Sequence, residues 1–361
     1  MSDSIFPWQA EAWRTLRQMQ GRLPHAILFH GPEGIGKTAF AEHVAKSLLC
    51  ESPDADGHAC NACASCGWFS QYAHPDFRRV RPETLDEEAA AEGGDEAEAG
   101  DGKKAKSSKA PSKDIKIDQV RALADFMNVS THRQGLRVVA LYPAEALNTA
   151  SANAILKTLE EPPPNTVFLL VSNSLHRLLP TILSRCRKFA LGMPSHDEAL
   201  AWLACQGVAD ADVWLAEQGG APLAAQAAAQ SETREALDDF LRQLAQPGIE
   251  TALRAAERLQ KTPVADLVAW QQRWLYDVFS LKFSGRIRYY PRYRKELAAL
   301  AAGVDVGRLL RGLKAAGDRR AIAEHPLSAR LFIEDMLLDY AAVFAQARAA
   351  DAHAAGAQTT R

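Results

Sequence analysis

The chain has 361 residues, 47% hydrophobic and 24% charged, with a formal net charge of -2. That is enough chain for two or three domains of ordinary globular composition. It excludes a global basic field as the means of finding nucleic acid, so any such contact must come from a local patch.

The opening residues, MSDSIFPWQAEAW, carry no basic stretch followed by an apolar one, so they do not read as a secretory signal. No run approaches the roughly 18 apolar residues of a membrane span, and a cytoplasmic protein is expected. Residues 8–22 read as an amphipathic helix with Trp8, Ala12, Leu16 and Met19 on one face. Ala26–Phe29 is a short apolar run, hence a buried strand, and Thr38–Leu49 shows helical periodicity. Between them lies GPEGIGKT, a full match to the phosphate-loop pattern G-x-x-x-x-G-K-[ST] in the strand–loop–helix context it needs. Gly31, Gly34 and Gly36 would let backbone N–H groups curl around the phosphates of ATP or ADP. Lys37 would reach the terminal phosphates and Thr38 would hold Mg²⁺. The bland alternative is a glycine turn without nucleotide.

Of six cysteines, Cys50, Cys60, Cys63 and Cys66 fall within 17 residues. In a reducing compartment such clustering points to metal rather than disulfides. Four soft thiolates suit a tetrahedral structural Zn²⁺, with no position left open for water. His58 or His74 could replace one ligand. An iron–sulfur cluster or free buried thiols are the alternatives. Cys186 and Cys205 read as core residues.

Residues 83–113 change character. Glu83 to Asp101 holds nine acids and no base, and Lys103 to Lys113 holds five lysines and no acid. Such a segment buries too little surface to offset its ordering entropy, so a disordered insertion is expected. Arg137–Leu141 is a second strand, Ser151–Leu159 a helix stopped by Pro162–Pro164, and Val167–Ser172 a third strand. Apolar strands alternating with helices argue a parallel α/β sheet. Hydrolysis would need a carboxylate at the end of the strand beside the loop. The sequence there reads Tyr142-Pro143-Ala144-Glu145, with Glu145 arriving late, in a turn where it is expected to be solvated. Nucleotide retention without cleavage follows. Beyond about residue 191 the strand signals vanish. Residues 195–230 form short Ala-rich helices broken at Gly219-Gly220, and 233–347 are helical throughout. Within 264–283, Leu267, Trp270, Trp274, Val278 and Leu281 make one apolar stripe.

RLPHAILFHGPEGIGKT, the four-cysteine cluster, ALNTASANAILKTLEEPPPNTVFLLVSNS and LLPTILSRCRKF together resemble the delta-prime subunit family of the bacterial DNA polymerase III clamp loader. The resemblance is specific through about 1–190 and continuous but weaker beyond. It implies an α/β AAA+ fold, with a P-loop parallel sheet, helices and a zinc module, followed by a small helical lid and an all-α collar. The implied boundaries are 1–190 for the AAA+ domain, with the zinc module at about 50–66 and the insertion at about 83–113. The lid would take 191–232, the collar 233–347 and a flexible tail 348–361. The implied partners are gamma/tau and delta subunits in a hetero-pentameric ring, and through it the sliding clamp and primed DNA, at the replisome and nucleoid. The hydrolysing gamma/tau relatives carry Asp-Glu where Tyr142-Pro143 stands, and an arginine after a Gly-Ser pair where this lid reads Gly219-Gly220-Ala221-Pro222. The resemblance therefore implies a subunit that does not itself hydrolyse ATP. It also gives Ser184-Arg185-Cys186 a role: Arg185 would enter the adjacent subunit's ATP site as an arginine finger. From Ser-Arg-Cys alone, Arg185 reads rather as a surface arginine capping a helix end; the surrounding LLPTILSRCRKF favours the finger. Lys157 could touch phosphate backbone, or pair with Glu160 or Glu161 along its helix. An active gamma/tau-like AAA+ ATPase and a stand-alone zinc-bearing DNA-binding module are the competing readings.

Overall fold

The computed structural model describes residues 5–19, 23–86, 111–128, 131, 135–323 and 328–345. The chain divides into two compact units, Met1–Glu198 and Ala199–Arg361.

The first unit is built on five parallel strands: β1 (Ala26–His30), β2 (Phe77–Val80), β3 (Arg137–Leu141), β4 (Thr166–Ser172) and β5 (Arg187–Ala190). Their spatial order is β2-β3-β4-β1-β5. Ala26 stands opposite Phe168, Arg137 opposite Thr166, and Ile27 opposite Arg187. A parallel sheet covered on both faces needs strands apolar on both sides. RVVAL and TVFLLVS meet that need, and every residue of β3 and β4 is buried. Of the two edge strands, FRRV buries only Phe77 and Val80 and RKFA only Phe189. They are short and half charged, so hydrophobic patterning does not announce them.

The helices of this unit are α1 (Ala10–Gln18), α2 (Lys37–Leu49), α3 (Ala64–Ser70), α4 (Ile117–Asn128), α5 (Thr149–Glu160) and α6 (Pro180–Arg185). α1 begins later than the periodicity suggests and buries Trp13 and Leu16. Trp8 sits instead on a preceding 3-10 turn. Asn148 caps α5, its side chain accepting the Ser151 N–H at 2.9 Å. One sheet face packs Leu28, Val139, Leu141, Phe168 and Leu170 against Ile155 and Leu159. At roughly 25 cal/mol per Å² such fully buried aliphatic side chains contribute about 2 kcal/mol each. At the two ends of the charged segment, Glu83 accepts the Ser112 N–H at 3.0 Å and pairs with Lys116. Residues 87–110 of that segment, and the expected tail from 348, lie outside the described residues.

α7 (His196–Cys205) carries the chain onward to α8 (Ala211–Glu217), α9 (Pro222–Gln230), α10 (Arg234–Ala245), α11 (Ile249–Leu259), α12 (Val264–Ser284), α13 (Arg294–Gly303), α14 (Val306–Ile322) and α15 (Ala329–Phe344). Ala199, Leu203, Leu215 and Ala225 form a small core among α7 to α9. A larger one gathers Phe240, Leu267, Trp274, Ile333 and Met336 from α10 to α15. The stripe expected along 264–283 is the buried face of α12, with Trp274 donating to the Tyr340 hydroxyl at 2.8 Å. Cys186 is buried, and burial pushes its thiol up to about 11. Cys205 is exposed: it is the last residue of α7, past the face that buries Ala199 and Leu203.

Candidate functional site

The phosphate loop connects β1 to α2. Gly36 is the residue before α2 and takes the left-handed conformation, φ 83°. A Cβ there would stand 2.4 Å from the Phe6 ring, and one on Gly31 would stand 2.2 Å from the Leu191 carbonyl oxygen. Both glycines are therefore required by crowding as well as by chain path. The loop's own carbonyls are taken up within the chain. Trp8 Nε1 donates to Ile35 O at 3.0 Å, and Gln9 Nε2 donates to Ile35 O at 3.1 Å and Gly36 O at 3.0 Å. Phe6 and Trp8 stack in parallel, 4.9 Å between centroids. Sequence periodicity could not find this cover, because it lies on a 3-10 turn rather than a helix face.

Lys37 is buried and its ammonium donates back to Pro32 O. Burial lowers it to about 8, with Glu33 and Glu145 pulling the other way. Thr38 is half-buried on the first turn of α2. At the end of β3, Tyr142 turns its hydroxyl onto Glu42 of α2 at 2.6 Å, and burial holds the phenol well above its ordinary value. Tyr72 approaches the other oxygen of Glu42, at 3.4 Å. The end of β3 is thus filled by a tyrosine tied to the loop helix.

Glu145 is not solvated as expected. It lies half-buried on the 3-10 turn Ala144–Ala146, and its Oε1 accepts the Asn173 N–H at 2.9 Å. The cause is register: β3 and β4 run side by side, so the turn after β3 meets the chain leaving β4. Its Oε2 is buried without a hydrogen-bond partner among the described residues.

The second site is at the other end of α2. Cys50 follows its last turn and Cys63 caps α3. The four sulfurs of Cys50, Cys60, Cys63 and Cys66 all lie within 4.8 Å of one another. Cys50 Sγ is 3.5 Å from that of Cys60 and 4.0 Å from that of Cys63. Sulfurs at the corners of a tetrahedron around Zn²⁺ would be about 3.8 Å apart, given Zn–S bonds of about 2.3 Å. The residues fit the ion. Backbone N–H groups point at the sulfurs: Cys60 N to Cys50 Sγ at 3.3 Å, and Cys63 N to Cys60 Sγ and Cys66 N to Cys63 Sγ at 3.4 Å each. The N–H groups of Ala62 and Cys63 bring the Cys60 thiol down to about 6, whereas burial pushes Cys50 and Cys66 up. His58 and His74 are engaged elsewhere. His58 stacks on Trp13 and meets His43 at 2.8 Å, while His74 meets Ser65 Oγ at 2.8 Å.

Arg185 ends α6. Its Nη1 donates to Thr181 O at 2.9 Å and Ser184 Oγ at 3.2 Å, and Nη2 pairs with Glu160 at the end of α5. Lys157, exposed one turn earlier, makes no ion pair with Glu160 or Glu161 among the described residues. The turn between α8 and α9 holds Gly219 at φ 66° and Gly220 at φ 95°, and the first turn of α9 after it has no cation.

Residues 8–194 match the family described as DNA polymerase III, delta subunit. The DNA polymerase III subunit delta' of Pseudomonas aeruginosa is 36% identical over 82% of this chain and 81% of its own length. That of Escherichia coli is 31% identical over 66% of this chain and 65% of its own. A solved gamma subunit-related protein of Thermotoga maritima overlays 92% of this chain and 99% of its own at 18% identity, with a TM-score of 0.43.

Proposed function

Because the chain belongs to the delta-prime subunit family of DNA polymerase III and so has a role in DNA replication, we propose that it is the clamp-loader subunit that does not hydrolyse ATP but completes a neighbour's site. The observation that carries this reading is Tyr142. A Mg²⁺-holding carboxylate is needed at the end of β3, and a buried tyrosine committed to Glu42 stands there. The lid turn, with no cation after Gly220, supports the same reading. The loop would still accept the phosphates of ATP or ADP if Lys37 left Pro32. Glu145, whose charge reaches Lys37, would then face the same loop.

Arg185 is the group offered outward. An arginine beside a γ-phosphate stabilises transition-state charge with a planar fork that lysine lacks. In the free chain part of that fork is held by Glu160, so docking would exchange a carboxylate for a phosphate. The domain reading follows: an AAA+ module over 1–190, a lid over 191–232 and a collar over 233–347 that meets the gamma/tau and delta subunits in a five-membered ring. Exposed apolar side chains on the second unit, among them Ile249, Leu253, Leu310, Ile322 and Leu331, supply surface for such contacts. No helix among the described residues is long and apolar enough to cross a membrane, in keeping with work at the nucleoid. The cysteine cluster would hold Zn²⁺ as a structural brace.

Steady-state ATP turnover by the isolated chain tests the core of this. The expected outcome is turnover at background, unchanged by Lys37→Ala. Robust turnover abolished by Lys37→Ala would instead make the chain an active gamma/tau-like ATPase.

A further inference from the structure

The C-terminal end of α12 runs into SGRIRYYPRYRK, residues 284–295. Between 286 and 295 it holds five cations, Arg286, Arg288, Arg292, Arg294 and Lys295, three tyrosines and no acid. In a chain of net charge -2 this is a concentrated local field. All five cations are exposed. Arg292 pairs with the exposed Asp210, at 3.5 Å. The other four make no ion pair among the described residues. A cation or two beyond a helix C-terminus complements the helix dipole, but that effect fades within a turn and does not account for five.

The segment is also held in shape. Asp277, fully buried on α12, accepts the backbone N–H groups of Arg288 at 2.8 Å, Tyr289 at 3.0 Å and Tyr290 at 2.7 Å. Tyr290 is buried against Trp274, 5.9 Å between ring centroids. Arg288, on this held backbone, and Arg286, two residues before it, line an open cleft of about 670 Å³ with Tyr276, Ser280, Ser284 and Ile287. Tyr276 is 41% exposed and meets Tyr289 edge to face at 5.6 Å, while Arg288 lies 5.5 Å from the Tyr289 ring. Two guanidinium groups and an exposed tyrosine ring thus share one cleft.

We propose that this cleft binds a single-stranded polynucleotide, with Arg286 and Arg288 on successive phosphates and Tyr276 stacking a base. The charge calls for a polyanion, and the exposed ring beside the guanidinia favours one that carries flat bases, as in sequence-tolerant single-strand binding. The site belongs to the second unit, whereas the phosphate loop and Arg185 belong to the first, and testing it requires neither nucleotide nor partner subunits. Its failure would therefore leave the clamp-loader reading untouched. Few contacts predict weak binding, with Kd about 10⁻⁵ M at physiological salt.

The experiment is fluorescence anisotropy of a labelled twenty-nucleotide oligo-dT with the zinc-loaded full chain, titrated across salt. Arg286→Ala/Arg288→Ala keeps the backbone N–H that Asp277 holds. It should weaken binding about tenfold at low salt and flatten the slope of log K against log salt by about 1.4, at roughly 0.7 per phosphate contact. Tyr276→Ala should weaken binding about fivefold with the slope unchanged. Thermal melts superimposed on wild type establish that both variants fold. Wild-type affinity and slope in the double variant would overturn the proposal. Loss with the double variant but none with Tyr276→Ala, together with equal competition by polyglutamate of matched charge, would overturn it in favour of an acidic polypeptide.

Discussion

The two ends of α2 carry two sites built on opposite terms. At its C-terminus four thiols converge, and the set needs only an ion to be complete. At its N-terminus the phosphate loop has the right glycines, lysine and threonine, yet its carbonyls serve Trp8 and Gln9 and its lysine serves Pro32. The difference is one of assembly. The cysteine site is drawn from 17 consecutive residues, so loss of any one ligand removes it. A hydrolytic site needs the loop, the end of β3, the lid and a neighbouring chain. In the proposed reading such a distributed site lacks its carboxylate while the fold stays intact, because Tyr142 packs at the end of β3 and hydrogen-bonds to Glu42.

This contrast is sharpest under metal removal. Cys63→Ser, or chelation of the wild-type protein, should abolish the single equivalent of zinc read by atomic absorption. It should also lower Tm by about 10 °C or more, because ion binding at a structural site is folding free energy. An unchanged melting curve would mean that the thiols are a packed cluster without an ion. Next in size is Arg185→Ala in the complex reconstituted with gamma/tau and delta subunits. Turnover at the one site it serves should fall by about 10³-fold with assembly preserved on gel filtration. Undiminished turnover would leave Arg185 a helix-end cap bonded to Thr181.

A smaller effect separates holding a phosphate from folding. Lys37 is lowered to about 8, below its unfolded value of 10.5. Between those values the unfolded chain binds the proton more than the folded chain does, so stability rises with pH in that window. Below pH 8 the folded state bears the full cost of a buried charge. Lys37→Met should therefore stabilise the nucleotide-free protein by about 1 kcal/mol at pH 7, the desolvation cost being partly offset by the lost bond to Pro32. The gain should vanish by about pH 10.5. Equal melting curves at pH 7 would show that the lysine rests in its loop without strain.

How far these features could be read beforehand follows the same division. Strands β1, β3 and β4, buried on both faces, are legible as apolar runs. β2 and β5 are not, because FRRV and RKFA are edge strands in which charged residues interrupt the apolar run. The cysteine spacing and GPEGIGKT announce their chemistry locally. The bond from Tyr142 to Glu42 spans 100 residues of sequence, and the Trp8 and Gln9 cover depends on an irregular turn. Neither leaves a periodic trace. Glu145 looked like a surface residue because its partner, the Asn173 N–H, is brought to it only by the register of two parallel strands. The basic segment after α12 is visible in the letters, but its shape depends on the buried Asp277 and on Tyr290 packed against Trp274.

The smallest expected effect concerns Glu160. Its pair with Arg185 joins two partly exposed side chains, and such pairs contribute at most about 1 kcal/mol, less as salt rises. Glu160→Gln should therefore leave Tm within about 2 °C of wild type. If docking requires Arg185 to leave Glu160, that same fraction of a kcal/mol is the most the substitution can return to the assembled site. Turnover by the reconstituted complex should rise about twofold at low salt and match wild type at high salt, where the pair is already screened. A fall in turnover would reverse the sign of the argument: Glu160 would then be aiming the guanidinium across the subunit boundary rather than holding it back.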